Sequence, residues 1–143
     1  MERASWRAGV AGNTGRPALN ALAGRRVLVV EDDYFQADDI GAALWQAGAS
    51  VVGPVPTLAG ALAQLSTKVD AAVLDISLRG EFAWPLVDML LAREVPFLFA
   101  TGYGPEVVPP AYAAVPHRLK PLDADELVCA LSALVGNKML ADA

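Results

Sequence analysis

The sequence predicts an α/β domain with a parallel sheet covered by helices on both faces, and three observations lead to it. Short apolar runs alternate with segments whose apolar residues recur at helical spacing, and the alternation repeats five times. The runs Val27 to Val30, Ala71 to Leu74 and Pro96 to Ala100 lack the alternation of a half-exposed strand, so they read as strands buried on both faces. Each of the three ends on polar groups, at Glu31-Asp32-Asp33, at Asp75 and at Thr101, and a weaker strand near Pro116 to Leu119 ends on Lys120-Pro121. Open α/β sheets place their ligand sites in the crevice outside the carboxyl ends of the strands. Glu31, Asp32 and Asp75 are therefore expected to meet the Thr101 hydroxyl and the Lys120 ammonium at one rim.

In chain order, residues 1–24 carry Gly9, Gly12, Gly15, Pro17 and Gly24 among few large apolar groups and read as an N-terminal extension outside the core. Arg3, Arg7 and Arg16 face only Glu2 there, which suits a solvated tail better than a targeting peptide or docking arm. After the first strand, Ala37, Ile40 and Leu44 predict a helix from about Tyr34 to Ala47, closed by Gly48. A short strand Ser50 to Val52 stops at Gly53-Pro54. Thr57 then caps a second helix with the stripe Leu58, Ala61, Leu62 and Leu65.

Beyond Asp75, the loop Ile76 to Gly80 leads to a third helix from about Phe82 to Arg93, with Phe82, Leu86, Met89 and Leu90 inward, Pro85 in its first turn and Trp84 in the core. Residues 102–116 hold Gly102, Gly104, Pro105, Pro109, Pro110 and Pro116, so a fourth helix there should be irregular or shortened. Asp123 and Glu126 form a capping box for a last helix whose Leu127, Ala130, Leu131 and Leu134 are buried before Gly136, leaving 137–143 as a tail.

A chain of 143 residues with 55% hydrophobic and 19% charged content has the composition of one globular domain. Its net charge of −5 argues against nucleic acid or an anionic membrane surface as the main partner. The single cysteine, Cys129, permits no internal disulfide and fits a reducing, cytoplasmic setting, with the thiol packed in a helix. No run reaches the roughly 18 apolar residues of a membrane span, and no secretory apolar segment opens the chain.

Two carboxylates about 4 Å apart repel by roughly 4 kcal/mol at an effective dielectric of 20. Glu31, Asp32 and Asp75 together thus need cations; Lys120 supplies one charge, and a divalent metal would supply two. All-oxygen ligands select Mg²⁺ or Mn²⁺, and the chain has no His/Cys set to suggest zinc. Such a site suits phosphoryl transfer to a carboxylate, with Asp75 as the nucleophile, Lys120 neutralising phosphoryl oxygens and Thr101 donating its hydroxyl.

VLVVEDD at 27–33, AAVLD at 71–75, FAT at 99–101 and KP at 120–121, at these spacings, resemble the receiver domains of two-component response regulators. The resemblance covers about residues 25–136. It implies a flavodoxin-like, doubly wound five-stranded parallel sheet in the order 2-1-3-4-5. It further implies that Asp75 is the phosphoacceptor, Asp32 a direct Mg²⁺ ligand, Glu31 a ligand mainly through metal-bound water, and the Ser77 backbone carbonyl the third protein ligand. Thr101 would be the switch hydroxyl and Lys120 the phosphate-contacting lysine, with a cis bond before Pro121, while Asp33 caps the first helix. The partners implied are a sensor histidine kinase or phosphotransfer protein and a downstream protein; a homodimer is compatible.

Two departures stand out. His117 occupies the place, three residues before Lys120, where the family often has an inward-turning Tyr or Phe, and it reads as a partly exposed strand residue. The Pro/Gly-rich segment, with FATGYG at 99–104, looks like the alphaproteobacterial stand-alone receivers called the FATGUY subgroup, which pair with unconventional sensor kinases. With only residues 137–143 after the last helix, the expected protein is a single-domain regulator and not an enzyme in its own right. One rival is a metal-dependent phosphohydrolase, which would need a second acid or base where Ser77 stands. Another is a non-phosphorylated adaptor, which has no need of the charged cluster.

Overall fold

In the computed structural model, which describes residues 20–142, the elements follow in the order β1 (Arg26–Val30), α1 (Tyr34–Gln46), β2 (Ser50–Val55), α2 (Leu58–Gln64) and β3 (Ala71–Leu74). A short antiparallel hairpin, β4 (Ser77–Leu78) with β5 (Glu81–Phe82), precedes α3 (Trp84–Ala92). The chain ends with β6 (Phe97–Thr101), two 3₁₀ turns at Pro105–Val107 and Pro110–Tyr112, β7 (His117–Leu119) and α4 (Ala124–Asp142). The main sheet runs β2-β1-β3-β6-β7, with every pairing parallel. Counting only its five strands in chain order, this is the expected order 2-1-3-4-5.

The continuously apolar strands explain the layering. Successive side chains on a strand point to opposite faces. Leu28, Val30, Ala72, Leu74, Phe97 and Phe99 therefore pack on one side with Ala61 of α2 and Leu86, Val87 and Leu90 of α3. Val27, Val29, Ala71, Val73, Leu98 and Ala100 pack on the other with Ile40 and Leu44 of α1 and Leu127, Leu131 and Leu134 of α4. Two of the expected caps form: Asp33 Oδ1 accepts from the Gln36 N–H at 3.1 Å, and Thr57 Oγ1 accepts from the Gly60 N–H at 3.1 Å. Among the described residues no helix is long and apolar enough to cross a membrane.

Several boundaries differ from the sequence expectation. The N-terminal extension lies outside the described residues up to residue 19, but Leu22 is fully buried and its N–H donates to the Ala47 carbonyl at 2.8 Å. The packed unit thus starts ahead of Arg25. At the other end α4 passes through Gly136 to Asp142, where Lys138 Nζ meets Asp142 Oδ2 at 2.7 Å, so residues 137–142 are helix and not a tail. The capping box is incomplete: Asp123 Oδ1 accepts from the Asp125 and Glu126 N–H groups at 3.0 and 3.3 Å, while the Glu126 carboxylate turns to Arg118 Nε at 3.2 Å.

The third helix begins later than expected because the hairpin consumes residues 77–82. Arg79 at φ 50° and Gly80 at φ 86° make a two-residue turn with both central residues left-handed, the geometry that matches strand twist. With the helical phase starting at Trp84, Leu86, Val87 and Leu90 face inward, whereas Phe82 and Met89 stay 45% and 38% exposed. The segment after β6 holds the two 3₁₀ turns in place of a regular helix, as its prolines require. It is fastened to α3 by stacking of Tyr112 on Trp84 and by the Tyr112 hydroxyl donating to Asp88 Oδ1.

Candidate functional site

The carboxyl ends of β1, β3, β6 and β7 bring the predicted residues to one rim. Parallel register aligns Val30 with Leu74, so the residues that follow them, Glu31 and Asp75, emerge side by side; the Asp75 N–H donates to the Val30 carbonyl at 2.9 Å. Carboxylate oxygens of Glu31, Asp32 and Asp75 lie within 4.8 Å of one another. Lys120 follows β7 and is tied to β6 by its N–H, which donates to the Thr101 carbonyl at 2.9 Å. Its Nζ then reaches Asp75 Oδ2 at 2.8 Å and Glu31 Oε1 at 2.7 Å. The Lys120-Pro121 bond is cis, as expected, and so is Gly53-Pro54.

Burial makes these charges consequential. Glu31 and Asp75 are 3% and 7% exposed, while Asp32 is open to solvent. Burial pushes the Glu31 carboxyl above its usual range, against the opposing pull of Lys120 and of the Asp33 N–H, which donates to Oε2 at 3.0 Å. Burial would lower Lys120, but hydrogen bonding and charge from Asp75 and Glu31 outweigh it and hold the ammonium above its usual value. Three acids against one ammonium leave the cluster two negative charges in excess.

The donor set fits a hard divalent cation. Its ligand atoms are all oxygen. Lys120 Nζ, in contact with both Glu31 Oε1 and Asp75 Oδ2, answers one of the three negative charges, and the two that remain are what a divalent cation would balance. Ser77, half-buried at the start of β4, donates its N–H to Asp75 Oδ1 at 3.3 Å. Thr101 is fully buried at the end of β6, and its Oγ1 accepts from the Tyr103 N–H at 3.2 Å.

His117 is half-buried, edge-on to Phe99, with Nε2–H donating to the Tyr103 carbonyl at 2.8 Å and Nδ1 buried without a partner. Tyr103 is thus held by Thr101 at its N–H and by His117 at its carbonyl, and its ring leans on Phe82. One contact had no expectation behind it. The Arg79 N–H donates to Asp32 Oδ2 at 2.9 Å, and Arg79 lines a cavity of about 440 Å³ with Glu31, Asp32, Tyr34, Asp38 and Pro54. The only sequence signal for it was the Arg79-Gly80 pair between Leu78 and Glu81.

No protein-family model and no curated protein matches the chain. Among solved structures it is similar to the solution structure of SdrG from Sphingomonas melonis Fr1, at 38% identity over 78% of this chain and 96% of that one, with a TM-score of 0.69. The BeF3-activated conformation of SdrG from Pseudomonas melonis Fr1 matches at 37% identity over 79% and 98%, with a TM-score of 0.66. A CheY-like response regulator receiver domain protein from Methanospirillum hungatei JF-1 shares the fold, with a TM-score of 0.73 at 21% identity over 82% and 98%. With the strand order, the acids at two strand ends and a 38% identical relative covered almost end to end, the chain belongs to the receiver-domain family of response regulators.

Proposed function

We propose that this receiver accepts a phosphoryl group on Asp75 from a phosphohistidine and signals through changed protein contacts. The carrying observation is the position of Asp75, 7% exposed at the end of β3, with Lys120 Nζ at 2.8 Å and carboxylate oxygens of Glu31 and Asp32 within 4.8 Å. The P–N bond of the donor breaks as an Asp75 carboxylate oxygen forms the new P–O bond, and the donor histidine leaves as imidazole. Lys120, already within contact distance, holds one phosphoryl oxygen. The Thr101 hydroxyl, whose oxygen accepts from the Tyr103 N–H, donates its own hydrogen to another, and its pull toward the phosphoryl group orders the segment from Gly102 to Pro116.

Asp32, Asp75 and the Ser77 carbonyl would hold Mg²⁺, with Mn²⁺ as a substitute, and Glu31 would act through water. When bound, the ion supplies positive charge beside the phosphoryl oxygens. A BeF3-activated conformation exists for SdrG, a 37% identical relative, and that supports the acceptor reading. Tyr34 and Phe35, 77% and 78% exposed on the first turn of α1 beside the acids, support a protein donor, a sensor histidine kinase or phosphotransfer protein. FATGYG at 99–104 and the 3₁₀ turns that follow support placement in the FATGUY subgroup.

The test is intact mass after incubation with Mg²⁺ and acetyl phosphate, on wild type and Asp75→Asn in parallel. One labile phosphoryl group on wild type alone is expected. The same gain on Asp75→Asn would move the acceptor elsewhere, and phosphate release over many turnovers would mark a phosphohydrolase.

A further inference from the structure

We infer that Arg79 is a positioning residue for the metal site, acting through its backbone and not its guanidinium: the left-handed turn it opens holds in place the N–H that orients the Asp32 carboxylate. This rests on the reading of Asp32 as a Mg²⁺ ligand.

Asp32 is the one exposed acid of the three, so burial does not restrict its rotamer as it does for Glu31 and Asp75. Its Oδ2 accepts from the Arg79 N–H at 2.9 Å across 47 positions of sequence, which leaves Oδ1 for a cation. Ligating carboxylates that are themselves hydrogen-bonded hold their orientation, and loss of such a partner commonly weakens metal binding tenfold or more. That N–H is available because Arg79 is the first of the two turn residues between Leu78 and Glu81, outside the β4–β5 pairing, and the left-handed angles of Arg79 and Gly80, φ 50° and 86°, close the turn that holds its peptide plane in place. A left-handed residue without glycine's freedom is strained.

The hairpin is also anchored at both ends. Ser77 donates to Asp75 Oδ1 at 3.3 Å, so one two-residue strand and its turn give an N–H to each of two acids. On the far strand Phe82 stacks on Trp84 with ring centroids 5.6 Å apart and meets Tyr103 at 6.3 Å. The hairpin therefore bridges the acids and the segment after β6.

Arg79→Gly and Arg79→Val separate backbone from side chain, because both remove the guanidinium while only valine resists positive φ. Mg²⁺ alone is titrated calorimetrically into the full-length chain, and urea unfolding in EDTA is measured alongside. Arg79→Gly is expected to bind Mg²⁺ within about twofold of wild type, and Arg79→Val about five- to tenfold more weakly, since binding must then restore the left-handed turn. Should Arg79→Val fail to fold in EDTA, Arg79→Asn against Arg79→Ala makes the same comparison with about a threefold gap. Equal affinities for the members of a pair, whether both near wild type or both weakened, overturn the backbone role. A wild type that binds no Mg²⁺ overturns the metal reading itself, and the two failures are told apart by the wild-type titration.

Discussion

Replacing Lys120 with methionine keeps a long stem but removes the ammonium that lies 2.7 Å from Glu31 Oε1 and 2.8 Å from Asp75 Oδ2. At an effective dielectric of 20, the two acids, with oxygens no more than 4.8 Å apart, then repel by at least about 3.5 kcal/mol with no cation between them. Protonating one acid relieves this. For a carboxyl with an ordinary value of 4.5, taking up a proton at pH 7.5 costs about 4 kcal/mol, so relief is hardly cheaper than repulsion there. At pH 5 the same proton costs under about 1 kcal/mol.

Burial already raises Glu31, and losing Lys120 raises it further. A carboxyl raised in the folded state penalises folding above its window, and the penalty fades as pH falls toward the unfolded value. Lys120→Met is therefore expected to lose about 3 kcal/mol at pH 7.5 in EDTA, a urea midpoint lower by roughly 1.5 M, and less than about 1 kcal/mol at pH 5. Equal midpoints at pH 7.5 would refute the electrostatic argument. So would a deficit of the same size at both pH values, which would trace to packing of the lysine stem.

Three further outcomes are expected. Leu22→Ala should cost about 3 kcal/mol in urea unfolding, because Leu22 is fully buried against the sheet face that carries α1 and α4; a loss under about 0.5 kcal/mol would return residues 20–24 to a solvated tail. Gly53→Ala should cost about 3 kcal/mol by thermal unfolding, since the position sits at φ 101° and a Cβ would lie 2.7 Å from Val55 N and 2.9 Å from the Val29 carbonyl; near-neutrality would mean that the β2 end shifts freely. Tyr112→Phe should lose about 1 kcal/mol and speed amide exchange over residues 110–115, because the hydrogen bond to Asp88 raises the phenol to about 12. A phenol raised in the folded state adds stability that is complete below pH 10 and lost as pH climbs toward 12, so wild type and variant should converge there; a constant gap would refute it.

What could be read in the sequence and what could not divides along a physical line. Val27 to Val30, Ala71 to Leu74 and Phe97 to Ala100 are buried on both faces, and such strands show in the amino-acid order as unbroken apolar runs. The acids and the hydroxyl that follow them inherit their positions from the parallel register, so Glu31, Asp75 and Thr101 were legible once the strands were. The failures sit where a backbone angle or a distant partner decides. Phe82 and Met89 have the spacing of a helix face, but a turn closed by Arg79 at φ 50° takes Phe82 for a strand, and arginine carries no signal for that conformation. Glu126 has the right offset from Asp123, but Arg118 takes its carboxylate. Leu22 is a single large apolar residue between Ala21 and Ala23, and only the fold shows that it packs with β1 and that its N–H reaches the Ala47 carbonyl.

The same division runs through the site. The side chains with the charge are named by the sequence, but the groups that aim them are backbone N–H donors of Asp33, Ser77, Arg79 and Tyr103, which every residue but proline possesses. Donor identity tells nothing there; donor direction does, and direction follows from φ and ψ. Substitutions that keep those angles should therefore be tolerated at Ser77 and Arg79 whatever their chemistry, whereas conservative exchanges at Glu31, Asp75 or Lys120 should not.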